Sequence, residues 1–356
     1  MSQSSPNPSR EVNIFSISSC ADLAASLNES EDYLEYLLNR PVNYHIFHIP
    51  KKDGALREIA APCSKLKETQ RRLSEKLLDA WQPTPYSFGF LRERNIVDNA
   101  REHLNQKWVL NIDLENFFPS ITMGKIEQTL VSPPCNMRPD AASMIARIAC
   151  NNGALPQGSP SSPILSDIVA SSLDHLLHKY ARYFDCRYSR YADDITISTS
   201  QKLFPAEIAQ ISKGSVKLGT LIVNSVTEQG FKINEAKVSL RNSSRHQEVT
   251  GIVVNEKANV RKQYVSQLRS ILHNCREEGV YPQALRYIKR YRHKIPDSIT
   301  DRIEDVSYVE HWFSMVLKGK TDFIRLVKGE DSPTFLMIAS RYNSVFGSVF
   351  NVPPKD

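Results

Sequence analysis

Residues 188–197 read Tyr-Ser-Arg-Tyr-Ala-Asp-Asp-Ile-Thr-Ile, with two adjacent aspartates in the middle. β-Prone residues on both sides of Asp193 and Asp194 predict a strand, a turn and a second strand over residues 186–199. Two adjacent carboxylates at a turn repel each other, which raises their pKa values, and a divalent cation removes that penalty. The stretch therefore predicts a β-hairpin with a cation site at its turn, and a solvated Asp-Asp turn is the alternative.

A second carboxylate stands at the end of another predicted strand. Residues 107–113 alternate as a strand should, with Leu110 and Ile112 on one face and Asp113 on the other face or at the strand end. If this strand lies beside the hairpin in one sheet, the three aspartates form a cage that is open to substrate. Such a cage suits two-metal phosphoryl transfer. The alternative for Asp113 alone is an N-cap of a helix that follows the strand.

The other elements are predicted from hydrophobic periodicity. Helices are expected over residues 21–40, 64–81, 162–184, 259–294 and 298–328, and a short strand is expected over residues 43–50. Ser162 is predicted to cap its helix, with Pro163 at the first helical position. Residues 1–20 are expected to be a flexible lead-in. Strands and helices interleave without a regular βαβ rhythm, so we expect an α+β fold with an antiparallel sheet.

Composition narrows the class of protein. The chain has 356 residues, of which 41% are hydrophobic, so it can bury a sizeable core. No apolar run approaches the roughly 18 residues of a membrane span, so no membrane partner is expected. The six cysteines are scattered, which fits a reducing, cytoplasmic location. Residues 256–294 hold ten Lys or Arg against three Asp or Glu in a chain of net charge +6, which indicates either a polyanion-binding surface or a solvated helix face.

Several motifs occur in one order along the chain. They are Lys51–Ile59, Asp113 with Phe117-Phe118, Leu155–Pro163, Tyr191–Asp194 and Gly230–Lys237. Together they resemble the motifs of the reverse transcriptase family over about residues 43 to 255. The resemblance implies a right-hand polymerase fold with fingers, a palm that contains the antiparallel sheet, and a helical thumb. It also implies an N-terminal extension over residues 1–40, fingers over 41–108 and 125–160, a palm over 109–124 and 161–255, and a thumb with a C-terminal tail over 256–356.

Two shorter matches point to a subgroup of that family. Asn99-Ala100-Arg101-Glu102-His103 and Val249-Thr250-Gly251 resemble signatures of the retron type of bacterial reverse transcriptase. The resemblance implies that Asn99, His103, Thr250 and Gly251 contact nucleic acid. A satisfied core histidine at position 103 and an ordinary turn at 250–251 are the alternatives.

The resemblance also assigns roles within the site. Asp113, Asp193 and Asp194 are the expected catalytic residues and, with the backbone carbonyl of Leu114, are expected to hold two Mg²⁺ ions. The residues expected to bind the incoming nucleotide are Lys51, Arg57, Phe118, Gln157 and Lys237. Arg57 and Lys51 would meet the triphosphate, and Phe118 would exclude a ribose 2′-hydroxyl. Lys237 would give a proton to pyrophosphate or only add positive charge.

The basic segment receives a role as well. Ala284, Ile288 and Tyr291 fall on one helical face, which predicts inward packing. The residues expected to track a phosphate backbone are Arg286, Lys289, Arg290 and Arg292.

By this resemblance the protein is an RNA-directed DNA polymerase. Its partners would be dNTPs, a cognate structured noncoding RNA, the branched RNA-linked DNA (msDNA) made from it, and an effector protein in antiphage defence. Two alternatives stay open: another bacterial reverse transcriptase, of the abortive-infection, diversity-generating or intron type, or a non-catalytic RNA-binding scaffold. The oligomeric state is left open.

Overall fold

A computed structural model describes residues 13–39, 44–50, 56–212 and 214–353. The helices are α1 Cys20–Leu27, α2 Glu31–Asn39, α3 Ser64–Ala80, α4 Ile96–Arg101, α5 Met123–Val131, α6 Pro139–Ala149, α7 Ser162–Tyr183, α8 Thr220–Glu228, α9 Lys262–Glu278, α10 Val280–Arg290, α11 Asp297–Thr300, α12 Val306–Lys328 and α13 Pro333–Phe346. The strands are β1 Tyr44–Pro50, β2 Leu56–Pro62, β3 Trp108–Asp113, β4 Arg187–Tyr191, β5 Asp194–Thr199, β6 Ala209–Ser212, β7 Ser215–Leu218, β8 Ser239–Asn242, β9 Glu248–Val249 and β10 Ile252–Val253. Short 3₁₀ helices occur at Ile14–Ser16, Glu235–Lys237 and Arg292–Lys294.

The central element is a four-stranded antiparallel sheet in the order β4-β5-β3-β8. Its register pairs Asp113 with Asp194 and Ile112 with Ile195. Side chains alternate along a strand, so the two aspartates share one face and the two isoleucines share the other. Leu110 and Ile112 are buried, which confirms the predicted inward face of β3 and the α+β class.

Helix α7 covers the apolar face of the sheet by packing on β4. Its residues are buried on most sides, so it lies in the interior of the protein rather than on the surface. The predicted cap is wrong by one residue. Ser161 precedes the helix, and Ser162 is its first residue, donating a hydrogen bond from Oγ to the Pro156 carbonyl at 2.8 Å.

The described N-terminal residues belong to the same hydrophobic core as the central sheet and α7. Leu23, Leu27 and Leu34 are fully buried with helix α3, and Ile14 and Ile17 are 1% exposed. The expectation of a flexible lead-in is therefore wrong for residues 13–19, because isoleucines buried in the core hold that segment in place. Residues 1–12 of the expected lead-in lie outside the described residues.

A second core holds the C-terminal helices. Helices α9, α10, α12 and α13 pack together around side chains such as Leu272, Phe313 and Ile338, and the β9–β10 hairpin adds Val249 and Ile252. The single helix predicted over residues 259–294 is instead two helices, separated at Gly279, where φ is +95°. The described ranges contain no helix with the length and hydropathy that crossing a membrane requires.

Candidate active site

The turn between β4 and β5 presents the adjacent aspartates. Ala192 occupies the left-handed region with φ +56°, which lets the chain reverse within two residues. The Leu114 amide donates to the Asp193 carbonyl at 3.0 Å and so ties the turn to the end of β3. Asp113 pairs with Asp194 across the two strands. Tertiary structure thus brings together the three carboxylates that the sequence separates by about 80 residues.

A cavity of about 890 Å³ opens beside this turn. Its lining includes Asp113, Leu114, Asp193, Arg57, Phe118, Gln157 and Lys237. These residues come from β2, β3, the turns around 118, 157 and 193, and the 3₁₀ helix Glu235–Lys237. The structure therefore gathers two of the three predicted catalytic carboxylates with four of the five predicted nucleotide-binding residues. The fifth, Lys51, lies outside the described residues.

The carboxylates of the hairpin turn carry an electrostatic penalty. Burial, followed by the charges of Asp193 and Asp113, raises the pKa of Asp194 to about 7. Burial and the charge of Asp113 also raise the pKa of Asp193, although Lys237 and Arg57 act against that rise. Such shifts are typical of carboxylates that await a cation.

Asp113 has partners within the chain. Lys237 donates from Nζ to Asp113 Oδ2 at 2.7 Å, and Asn234 donates from Nδ2 to Oδ1 at 3.0 Å. The hydrogen bond from Lys237 is the main cause of the raised pKa of that lysine. Lys237 is 60% exposed, so it can leave Asp113 when a stronger positive charge arrives.

The carboxylates fit a divalent cation whose remaining ligands come from substrate. In the part of the chain that the structure describes, no three His, Cys, Asp or Glu side chains already converge as a closed metal site. Asp113 and Asp193 nevertheless line one cavity, next to the backbone of Leu114. Mg²⁺ commonly uses one or two carboxylates together with substrate phosphates, so a closed protein cage is not required.

Asp194 lines a neighbouring cavity of about 560 Å³. Thr250 and Gly251 line the same cavity, and both have positive φ values, +47° and +85°. Thr250 also donates from Oγ1 to the Ile96 carbonyl at 3.2 Å, which fixes the β9–β10 turn against α4. The structure therefore brings these two residues close to a predicted catalytic carboxylate.

Two residues were not predicted from the sequence: Phe90, which lines the main cavity, and Gly89, which lies against the turn between β4 and β5. The ring centroid of Phe90 lies 6.0 Å from that of Phe118 and 6.3 Å from that of Tyr191. A Cβ added at Gly89 would lie 2.5 Å from the Ala192 nitrogen, so the backbone at 89 touches the turn between β4 and β5. A glycine between two aromatic residues at 88–90 is the signal that could have indicated this close approach.

Comparison with known proteins identifies the family. Residues 49–254 match the family described as reverse transcriptase (RNA-dependent DNA polymerase). The retron Ec86 reverse transcriptase of Escherichia coli is 31% identical over 257 residues, which cover 71% of this chain and 77% of that protein. The chain belongs to the reverse transcriptase family, and it is of the retron type. This confirms the predicted RNA-directed DNA polymerase and its right-hand fold.

Other relatives agree with that assignment. The retron Ec83 reverse transcriptase of Escherichia coli is 27% identical, covering 80% of this chain and 93% of its own. The retron Mx65 reverse transcriptase of Myxococcus xanthus is 29% identical, covering 73% of this chain and 64% of its own. Among solved structures, apo telomerase from Candida tropicalis aligns at a TM-score of 0.47 with 12% identity, over 86% of this chain and 62% of that one, which is too distant to carry an argument.

Two residues predicted to contact nucleic acid are buried inside the reverse transcriptase. Asn99 and His103 have no exposed surface. His103 makes 2.7 Å hydrogen bonds to the hydroxyls of Ser198 and Ser189, and Ser189 donates to Asn99 Oδ1 at 2.5 Å. The prediction of direct contact is corrected: these side chains join α4 and the following turn to strands β4 and β5. Burial lowers the pKa of His103 to about 3, so it is neutral near pH 7.

The basic residues of the C-terminal helices lie on the surface of the enzyme. Arg286, Lys289, Arg290 and Arg292 are exposed. Ala284 and Ile288 are buried, as the helical pattern predicts, and Tyr291 packs against the same core but is only partly buried. Arg286 pairs with Glu278 at 2.6 Å, and Arg292 approaches Asp297 at 3.5 Å. Arg290 lies over the Tyr291 ring, 5.5 Å from its centroid. Helix α10 ends at Arg290, so Arg292 stands in the 3₁₀ turn that follows.

Proposed function

We propose that this reverse transcriptase copies part of a cognate structured noncoding RNA into msDNA, a single-stranded DNA that stays joined to the RNA through a branch. We further propose that it acts in the cytoplasm within an antiphage defence retron and together with an effector protein. The observation that carries the proposal is the cavity in which Asp113 and Asp193 meet Arg57, Gln157 and Lys237. The names of the relatives, all retron reverse transcriptases, support the retron part.

The carboxylates and the substrate phosphates would bind the catalytic metal ions together. Asp113, Asp193, Asp194 and the Leu114 carbonyl would hold two Mg²⁺ ions, which when bound activate the attacking hydroxyl and neutralise the leaving pyrophosphate. Lys237 would lie near the leaving pyrophosphate, which its 2.7 Å contact with Asp113 and its exposure support. On nucleotide binding Lys237 would exchange this carboxylate for a phosphate oxygen.

The remaining cavity residues would orient the nucleotide. The guanidinium of Arg57 suits phosphate oxygens, and its charge acts on Asp193. We assign Lys51 to the triphosphate as well. Gln157 would lie near the base and sugar, and the Phe118 ring would close the space that a ribose 2′-hydroxyl needs. The nearby ring of Phe90 supports the position of Phe118.

We also propose a division of the chain into domains. Fingers would comprise residues 41–108 and 125–160, and the palm residues 109–124 and 161–255. The N-terminal extension would comprise residues 1–40, and the thumb with the tail residues 256–356. Thr250 and Gly251 would contact the strand that ends at the site, which their position in the cavity of Asp194 supports. Arg286, Lys289, Arg290 and Arg292 would bind the phosphate backbone, a contact that gives affinity rather than base readout.

The test is expression of the chain with its neighbouring noncoding DNA, followed by extraction of nucleic acid. A denaturing gel is run before and after RNase and debranching treatment. We expect a discrete single-stranded DNA that shifts after RNase and is absent in Asp193→Asn. If no such DNA forms, but the enzyme extends a DNA primer on an added RNA template, the polymerase stands and the msDNA proposal fails.

A further inference from the structure

A cluster of buried charges lies directly behind the catalytic turn. Arg190 is 1% exposed, Asp167 is 1% exposed and Asp174 is fully buried. Arg190 donates to both oxygens of Asp174 at 2.7 and 2.8 Å and to Asp167 at 2.8 Å. The two aspartates stand seven residues apart on one face of α7, so this helix holds the guanidinium in a fixed orientation.

The same guanidinium reaches the turn itself. Arg190 donates from Nη1 to the Ala192 carbonyl at 3.2 Å. That carbonyl belongs to the peptide group that joins Ala192 to Asp193, so its orientation determines the direction in which the Asp193 side chain leaves the backbone. Ala192 has φ +56°, a conformation that disfavours residues other than glycine and therefore needs outside support.

A second element supports the turn from residues 86–89. The Arg190 amide donates to the Tyr86 carbonyl at 2.9 Å, and the Phe88 amide donates to the Arg190 carbonyl at 2.8 Å. This ladder brings Gly89 so close to the Ala192 nitrogen that a Cβ at position 89 would lie 2.5 Å from it. The backbone of the turn is thus held by a side chain and by a neighbouring segment of main chain.

Folding stability alone does not explain the cluster. A buried guanidinium with two buried carboxylates is costly to desolvate, and well-packed apolar side chains often stabilise a core as well or better. Burial would lower the pKa of Arg190, but the charge and hydrogen bonds of Asp174, with Asp167, raise it above its ordinary value and keep the group charged. The remaining oxygen, Asp167 Oδ2, accepts a hydrogen bond from Trp81 Nε1 at 2.9 Å, and Asp174 Oδ1 accepts a second one from the Tyr188 hydroxyl at 2.7 Å.

We propose that Arg190, held by Asp167 and Asp174, is a positioning residue for polymerisation: it fixes the Ala192–Asp193 peptide and so places the Asp193 carboxylate for metal binding. This inference rests on the proposed metal-binding role of Asp193. Arg190 does not touch substrate, and it acts only through the turn. The cluster is fixed before substrate arrives, so the carboxylate needs no reorganisation during the reaction.

The first test is Arg190→Lys, which keeps the charge but loses the planar fork that serves Asp174, Asp167 and Ala192 together. We expect kcat for primer extension to fall on the order of 10²-fold, as small misplacements at a site can cost. The KM for dNTP should change no more than roughly twofold, because the nucleotide contacts remain. Binding of Mn²⁺ to the full chain, measured by electron paramagnetic resonance, should weaken about tenfold, the cost typical of losing a partner that orients a metal ligand.

Leu77→Ala is the matched control, because the Leu77 side chain is apolar and fully buried in the same core, and none of the hydrogen bonds of Arg190, Asp167 or Asp174 described above involves it. It should lose stability while keeping the wild-type kcat and Mn²⁺ affinity in the folded protein. Gly89→Ala is the second variant, which presses on the turn and leaves all charges in place. It should show the same fall in kcat and in Mn²⁺ affinity, so it tests the inference even if Arg190→Lys does not fold.

The outcomes separate this inference from the proposed function. Wild-type kcat and Mn²⁺ affinity in folded Arg190→Lys and Gly89→Ala would overturn the positioning role. Equal losses in Leu77→Ala would also overturn it, since the effect would then follow stability alone. Unchanged Mn²⁺ binding in Asp193→Asn would instead remove the metal role of Asp193 on which the inference depends.

Discussion

The two faces of the central sheet differ in whether the carboxylates beside them are fully paired with a cation of the protein. On the face that packs against α7, Arg190 neutralises Asp167 and Asp174 within hydrogen-bond distance. On the other face Asp113 and Asp194 stand opposite each other, and the pKa of Asp194 rises to about 7. Carboxylates lie at both faces, but a fully buried cation, Arg190, neutralises those at the covered face.

The two faces therefore have different roles: the covered face supports the turn, and the open face carries the charges proposed to act in catalysis. Fully paired buried groups have one arrangement, so the covered face is rigid. The open face keeps negative charge that Lys237 balances only in part, and the proposed Mg²⁺ ions would neutralise the rest. A rigid side next to an unsatisfied side is the arrangement that preorganised catalysis requires.

The largest expected effect comes from removing charge on the open side. Asp193→Asn should reduce DNA synthesis on the order of 10⁴-fold, as losses of central catalytic groups do. RNA binding should survive, because the contacts proposed for the RNA phosphate backbone lie elsewhere, and a filter-binding assay measures it beside primer extension. Asp185→Asn, at an exposed position before the other end of β4, is the control and should keep normal synthesis. Normal synthesis by Asp193→Asn would contradict the metal assignment.

A smaller effect is expected at the rim of the open cavity. Phe118→Ala should raise ribonucleotide incorporation roughly tenfold, the discrimination typical of a steric pocket. Competition between a dNTP and the matching rNTP measures it. Phe117→Leu is the matched control, because Phe117 is buried and stacks on Phe231 at 5.6 Å. Unchanged sugar discrimination in Phe118→Ala would remove this residue from the gate.

The buried histidine should show its effect in acid. The folded-state pKa of His103 is about 3 and the unfolded value about 6.5, so the unfolded chain binds the extra proton between these values. Stability is therefore lost as pH falls below about 6.5, by up to about 1.4 kcal/mol per pH unit from this group. His103→Gln should show a shallower loss than the wild type in urea unfolding at pH 7.5 and 5.5. His273→Gln, at an exposed position, serves as control. If the free energy of unfolding depends equally on pH in all three proteins, His103 is not the group responsible.

The smallest effect concerns the metal-free enzyme. The folded pKa of Asp194 is raised to about 7, so its charge destabilises the folded state at higher pH, and this cost fades as pH falls from about 7 towards 4. In EDTA at pH 8, Asp194→Asn should raise Tm by about 2–4 °C, and the gain should shrink at pH 5. A scanning fluorimetry series at both pH values measures it. No gain at pH 8 would show that the carboxylates do not repel as the geometry indicates.

Part of the site could be predicted and part could not. The hairpin, the strand that ends in Asp113 and the burial of Leu110 and Ile112 follow from local pattern, because alternation within one strand already fixes which face is apolar. The error at Asn99 and His103 has a different origin. A polar motif has no period that says whether its partner is solvent, nucleic acid or a serine on another strand, and here the partners are Ser189 and Ser198.

The sequence was enough to predict the family, through the resemblance of its ordered motifs, and to predict the three carboxylates and the antiparallel sheet, through residue types and short-range periodicity. Only the tertiary structure decided that Arg190 turns inward to Asp167 and Asp174 while its neighbour Tyr191 lines up with Asp194. The pleat sends adjacent side chains to opposite faces, but which face meets α7 depends on packing between segments far apart in the chain. The same packing set the distances that make Asp113, Asp194 and Lys237 one electrostatic system.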